Sequence, residues 1–325
     1  MIRLFKHLHF FIPCLFVLSL IVGACSQSNL TTTTVEPITL KMAVLPILDT
    51  LPMYVAQQEG LFEENGVKVE FIPVASGAER DQLVSAGQAD GMINEVTSTM
   101  LYNKDQTRVQ IVRFARTATT EDALFRIIAS GKSNVESAND LKGVEIGISQ
   151  GTVIDYLTDR LLQAQGFSQY EINTIAVPKI PDRMALLENG ELEAAMLPEP
   201  LSSLAVLNGA KIILDDTSHP EYSFSTISFR KEVIDKHPEA IKGFLAAIEE
   251  ATDEINADPE KWNTLLSDLK LVPPPLLDTF KIPPFVTAGV PDEDQWNDVL
   301  SWAKEKGILN VDVSYEESVN PEFLP

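Results

Sequence analysis

Strand and helix signals alternate along this chain, twice over, and that alternation narrows what it can fold into. Residues 40–45 alternate apolar and polar side chains, the period of a strand. Pro52 sits where a first helical turn favours proline, and the stretch through Tyr54, Ala56 and Phe62 reads as one helix ending near Gly66. A strand over 67–74, a turn at Ser76-Gly77 and a helix over 78–86 follow. Short strands are expected over 91–94, 109–114 and 123–129. Helices set between strands point to βαβ units, parallel pairing and an α/β fold.

The pattern then restarts. Residues 139–143 form a turn that feeds a strand over 144–149. Gly151-Thr152 opens a helix carrying Ile154, Leu157, Leu161 and Leu162 on one side, and Gly166 ends it. A strand over 172–177, a helix from Asp182, read as its cap, to Asn189, a strand over 194–197, a helix over 201–208 and a strand over 211–214 complete a second αβ unit. A strand over 224–229 leads away from it. A helix starting at Pro238 and another over 292–306 have no sheet of their own, so they should pack back on the first unit. At roughly 100–200 residues per domain, the length allows two such units. The expected division is a first lobe over 38–131 and 222–325 and a second over 132–221, with crossovers near 131–140 and 216–222.

The first residues read as an address. Arg3 and Lys6 precede a 13-residue apolar run from Phe10 to Val22, too short to span a bilayer, which needs about 20. Val22-Gly23-Ala24-Cys25 resembles a lipobox, which implies a signal peptide over 1–24, cleavage before Cys25 and lipid on its sulfur. An ordinary signal peptide that contains a cysteine is the plainer alternative. Residues 25–37, rich in threonine, then form a tether. The body is expected outside the cytoplasm, anchored to a membrane through Cys25. Loss of Arg3 and Lys6 takes the formal charge from −22 to −24. So acidic a chain lacks the basic footprint that nucleic acid requires. Cys14 and Cys25 are its only cysteines, which excludes a disulfide framework or a thiolate metal site. No nucleotide-binding, zinc-protease or serine-hydrolase motif is present, and the many paired carboxylates are expected as solvated faces among 47 acids.

Four blocks in order carry a resemblance. They are Pro52-Met53-Tyr54-Val55-Ala56 with Gly60, Phe62, Gly66 and Val69; Ser76-Gly77 with Ala86-Gly87-Gln88-Ala89-Asp90; Asp140-Leu141-Lys142-Gly143 with Gln150-Gly151-Thr152; and Leu187 to Ala195 followed by Glu199-Pro200. Across about 40–310 the chain resembles the solute-binding proteins that serve bacterial ABC importers for nitrate, sulfonates, taurine and thiamine pyrimidine precursors. The resemblance implies a two-lobed periplasmic-binding-protein fold of type II, each lobe a mixed sheet flanked by helices. It also implies a small-molecule ligand in the cleft, a membrane permease as partner, and neither cofactor nor metal. The chain is expected to be a monomer.

In open α/β sheets ligands bind beyond the carboxyl ends of the strands. That rule, applied residue by residue, names Asp49 and Thr50, Ser76 and Gly77, and Asn94, Glu95 and Thr97 in the first unit, and Arg116 joins them as a nearby base. In the second it names Ser149, Gln150, Gly151 and Thr152, then Asp182, then Glu199. Residues 149–152 lead into a helix start, whose free amides favour an anion or polar acceptor; alternatively Ser149 or Thr152 only caps the helix. Asp49, Glu95 and Glu199 bring three acids towards one cleft, with Arg113 and Arg116 as the nearby bases. That balance favours a neutral or amine-bearing solute, unless each acid is a loop residue. Pro198 stands where the family often has tryptophan, leaving Tyr54, Phe114, Tyr156 or Phe224 to stack on a ring or to serve the core.

Three functions compete: a binding protein that hands solute to a permease, a pyrimidine-synthase-like enzyme of the same superfamily, and a sensor that presents its ligand to a receptor. The enzyme would use a cysteine-rich motif and histidines, and His219 and His237 are the only histidines beyond the first ten residues. That scarcity favours a non-enzymatic role.

Overall fold

The computed structural model describes residues 37–325. The expected signal peptide, Cys25 and all of the tether but residue 37 lie outside the described residues. Among the described residues no helix is long and apolar enough to cross a membrane.

Two five-stranded sheets organise the molecule. The first contains β1 (Ile38–Val44), β2 (Val67–Pro73), β3 (Gly91–Asn94), β4 (Val109–Thr117) and β10 (Phe224–Arg230), in the order β2-β1-β3-β10-β4. The second contains β5 (Phe125–Ala129), β6 (Glu145–Ile148), β7 (Asn173–Ala176), β8 (Ala194–Pro198) and β9 (Lys211–Asp215), in the order β7-β6-β8-β5-β9. β1 runs parallel to β2 and β3, and β6 parallel to β7 and β8. β10 is antiparallel to β3 and β4, and β5 is antiparallel to β8 and β9. The sheets are therefore topological copies, each with one antiparallel strand in fourth place. Those two strands are the ones the chain enters on crossing from the other sheet.

This arrangement corrects one boundary. The sequence places the run 123–129 with the first unit, but β5 pairs in the second sheet. The first crossover therefore spans 118–124, not 131–140, and the second spans 216–223. An apolar run announces a strand without naming its partner, and β5 is separated from β8 by about 70 residues of chain.

Helices cover both sheets: α1 (Leu51–Gln58), α2 (Leu61–Glu64), α3 (Gly77–Ser85), α4 (Val96–Asn103), α5 (Val153–Ala164), α6 (Ile180–Asn189), α7 (Leu201–Leu207), α8 (Lys231–Lys236), α9 (Pro238–Ala257), α10 (Asn263–Asp268), α11 (Glu293–Glu305) and α12 (Tyr315–Ser318). The single helix expected from Pro52 is two, because Gly60 takes φ +78° and breaks it. α9 buries Ile241, Phe244, Leu245, Ile248 and Ile255 against α1, α2 and β2, in the core of the first sheet. α11 departs from expectation. Its Trp296 and Trp302 join a core that also holds Met100 of α4 and Leu157 of α5. It thus packs on one helix from each sheet's layer, not on the first unit alone.

Candidate functional site

The carboxyl ends of both sets of parallel strands open onto one cleft of about 70 Å³, room for on the order of five waters. From the first sheet's side come Asp49, Ser76, Gly77, Asn94, Glu95 and, on β10, Ser225. From the second come Ser149, Thr152, Val153, Ile180, Pro198 and Glu199, while Leu124 and Phe125 enter at the first crossover. The rule that ligands lie beyond strand ends thus locates the cleft in both halves.

Eight of the residues expected at the site line it: Asp49, Ser76, Gly77, Asn94, Glu95, Ser149, Thr152 and Glu199. Six do not. Thr50 is buried and bonds the Ile47 carbonyl, Thr97 is buried in α4, and Gln150 is exposed. Gly151 takes φ +71° and donates its amide to Asp155 Oδ2 at 3.0 Å, away from the cleft. Asp182 is exposed in the first turn of α6, whose cap position is Lys179, so it caps nothing. Arg116 lies behind Asp49, 3.7 Å from its carboxylate.

The aromatic candidates belong to the core. Tyr54 packs edge-on against Phe71 at 4.8 Å, Phe114 against Phe224 at 5.3 Å, and Tyr156 against Trp302 at 5.4 Å. Phe125, which the sequence marks only as part of a strand, is the aromatic that lines the cleft among the described residues.

Each of the three acids has an arginine partner. Glu95 binds Arg80 with both oxygens, at 3.0 and 3.2 Å, and Arg80 also bonds Asp81, Ser98 and the Ile93 carbonyl. Burial alone would lower the Arg80 pKa, but Glu95 and Asp81 more than offset it, so the guanidinium is held above its ordinary range. Burial pushes the Glu95 carboxyl up while Arg80 pulls it back; the bidentate geometry favours the ionised pair. Asp49 accepts from Ser225 Oγ at 2.6 Å and faces Arg116. Glu199 pairs with Arg126 and accepts from Ser202. The acids expected to favour an amine-bearing solute are thus each already paired: of the two nearby bases expected, Arg116 faces Asp49 and Arg113 turns away to Glu249, while Arg80 and Arg126 hold the other two acids.

Arg183 is different. It is fully buried in α6, with the Cγ and Cδ of its stem lying where a side chain at Gly147 would come within 3.4–3.5 Å. Nη1 donates to Ser149 Oγ at 2.9 Å and to the Val177 carbonyl at 3.3 Å. Nε and Nη2 have no acceptor, and no carboxylate pairs with this guanidinium among the described residues. Burial lowers its pKa to about 9. One signal was available in the sequence: Arg183 stands four residues before the buried Leu187, on the same helical face.

Two helix starts meet at the cleft. Ser76 caps α3 by accepting from Glu79 N, and Thr152 caps α5 by accepting from Ile154 N at 3.2 Å. Among the described residues the Thr152 and Val153 amides have no acceptor, and both residues line the cleft. Thr152 thus both caps the helix and borders the cavity.

A protein of Haemophilus influenzae provisionally named for thiamine biosynthesis is 28% identical over 226 residues, 67% of this chain and 69% of its own. A Brachyspira hyodysenteriae protein, provisionally named an ABC transporter periplasmic binding protein, is 24% identical over 257 residues, 76% of this chain and 72% of its own. Among solved structures, the alkanesulfonate-binding protein of Xanthomonas axonopodis pv. citri, bound to MOPS, superposes with a TM-score of 0.75. It is 16% identical over 88% of this chain and 99% of that one, a likeness of fold. The NMT1/THI5-like family matches residues 48–262, a span from the loop after β1 to just beyond α9 that contains every cleft residue named above, and the chain is a member of that family.

Proposed function

We propose that this protein is the extracytoplasmic substrate-binding component of an ABC importer. It captures a small solute between its two sheets and delivers it to a membrane permease. The observation that carries this reading is the cleft, walled by strand ends of both sheets and by helix starts with free amides. Each half supplies part of the lining, so a solute makes its full set of contacts only when the halves are close, and binding favours closure. Relatives named as binding proteins support the assignment. The lobes turn about 118–124 and 216–223, the protein acts as a monomer, and lipid at Cys25 holds it at the membrane surface.

An enzymatic role draws support from the relative named for thiamine biosynthesis. The cleft lining, however, offers no histidine or cysteine among the described residues, and its carboxylates are held by arginines. Binding without chemistry fits that lining better. A thermal-shift screen of pyrimidines, sulfonates, taurine and nitrate tests the proposal. Solute at 100 times its dissociation constant adds about 2.7 kcal/mol, a rise of several degrees. A rise that is lost on Thr152→Trp, which fills the cleft, supports the reading. A flat screen, or a rise untouched by that substitution, contradicts it.

A further inference from the structure

We propose that Arg183 sets the charge specificity of the cleft: acting through Ser149 and the start of α5, it makes that end of the cavity the seat of an anionic oxygen group, a carboxylate, sulfonate or phosphate. The proposal rests on the cleft being a solute site and adds which end of the solute docks where.

A fully buried guanidinium with two unsatisfied nitrogens and no carboxylate is a costly arrangement. Every arginine that backs a cleft carboxylate is neutralised by it, whereas Arg183, behind Ser149, has no carboxylate partner among the described residues. It reaches the cavity through one atom. Ser149 Oγ accepts from Arg183 Nη1 and donates to the Pro178 carbonyl at 3.1 Å, and both Ser149 and Pro178 line the cleft. A hydroxyl that accepts from a cation becomes a stronger donor. Turned from Pro178 to a solute oxygen, it joins the free Thr152 and Val153 amides at the positive end of a 12-residue helix. Burial has already lowered the Arg183 pKa, so an anion beside Ser149 also stabilises the protonated guanidinium. The remaining acidic side chains of the lining, Asp49, Glu95 and Glu199, keep their own arginines and do not compete for this one.

Probes matched in shape but not in charge test this: methanesulfonate against methanesulfonamide, and acetate against acetamide, by calorimetry on the full chain. The wild type is expected to prefer each anion by about tenfold or more. Arg183→Gln and Arg183→Met should abolish the preference, and Arg183→Lys should retain part of it. Arg183→Met should also hold or raise the melting temperature without solute, since it removes an unpaired buried charge; an arginine with only a structural role would lower it. Equal binding of charged and neutral probes by the wild type, or a preference that survives Arg183→Gln, overturns the proposal and leaves the cleft reading standing. So does binding of neutral solutes alone in the thermal-shift screen. Failure of every probe, together with a flat screen, overturns both.

Discussion

Asp216 is the residue that ties the two crossovers together. It is fully buried in the second, and its carboxylate accepts from the Leu124 and Phe125 amides of the first at 3.0–3.2 Å and from Ser223. Leu124 and Phe125 line the cleft, so the same carboxylate ties the two crossovers together and shapes the cleft wall. Asp216→Ala leaves two buried amides and a hydroxyl without an acceptor and should cost about 3 kcal/mol, read from urea midpoints. Burial raises the Asp216 pKa from 3.8 to about 6, against the pull of its hydrogen bonds. A carboxyl raised in the folded state binds its proton more tightly there than in the unfolded chain. Its contribution is therefore fullest below about pH 4 and is lost as pH rises through 6. The stability gap between wild type and Asp216→Ala should widen by about 2 kcal/mol from pH 7 to pH 4. A gap independent of pH would contradict that assignment. The paired acids behave differently. Glu95→Gln leaves Arg80, which is 2% exposed, with Asp81 as its one carboxylate partner and should lower stability without solute by about 2 kcal/mol. None of these partners was legible in the sequence. Arg80 reads as an ordinary polar position of a helix, Arg126 sits inside an apolar strand, and Asp216 meets Leu124 across 92 residues. Spacing along a chain finds neighbours within a helix, but not charges that folding brings together.

Between elements, two buried aspartates and the partly exposed Lys306 link the start of α5 to the end of α11. Gly151 N donates to Asp155; Lys306 contacts Asp155 at 3.4 Å and Asp159 at 2.6 Å; and Trp302 donates to Asp159 at 2.7 Å. Burial disfavours the Lys306 charge, but the two aspartates more than offset it and hold its pKa up. The cleft loop at 149–152 is thus braced from behind by a C-terminal helix that also touches α4. Lys306→Met leaves two aspartates in a largely buried site without a cation. We expect a loss of about 2 kcal/mol, discounted for the partial exposure of Lys306, together with weaker solute binding because Asp155, which holds the Gly151 amide, loses the cation that fixes it. Stability and affinity both at wild-type values would show the brace to be idle. Here the sequence was partly readable. The amphipathic stripes of α5 and α9 and the start of α11 at Asp292, which forms a capping box with Gln295, all stood out. The placement of α11 did not, because its tryptophans mark a buried face without saying which two helices bury it.

At the scale of the whole molecule, strand alternation announced two αβ units and, through them, a cleft at their strand ends. It did not tell which sheet receives β5, since an antiparallel strand delivered by a crossover looks like any other apolar run. The copied strand order explains why function follows from this plan. Two similar sheets face one cavity, each supplies a helix start, and the joining segments at 118–124 and 216–223 are short and tied by Asp216. The central claim is that a small solute bridges the halves. Small-angle scattering from the body, with and without a solute found by the thermal-shift screen, tests it most directly. The radius of gyration should fall on addition of solute, and should stay at its solute-free value in a Thr152→Trp variant. An unchanged radius in the wild type at saturating solute would contradict capture by closure between the two sheets.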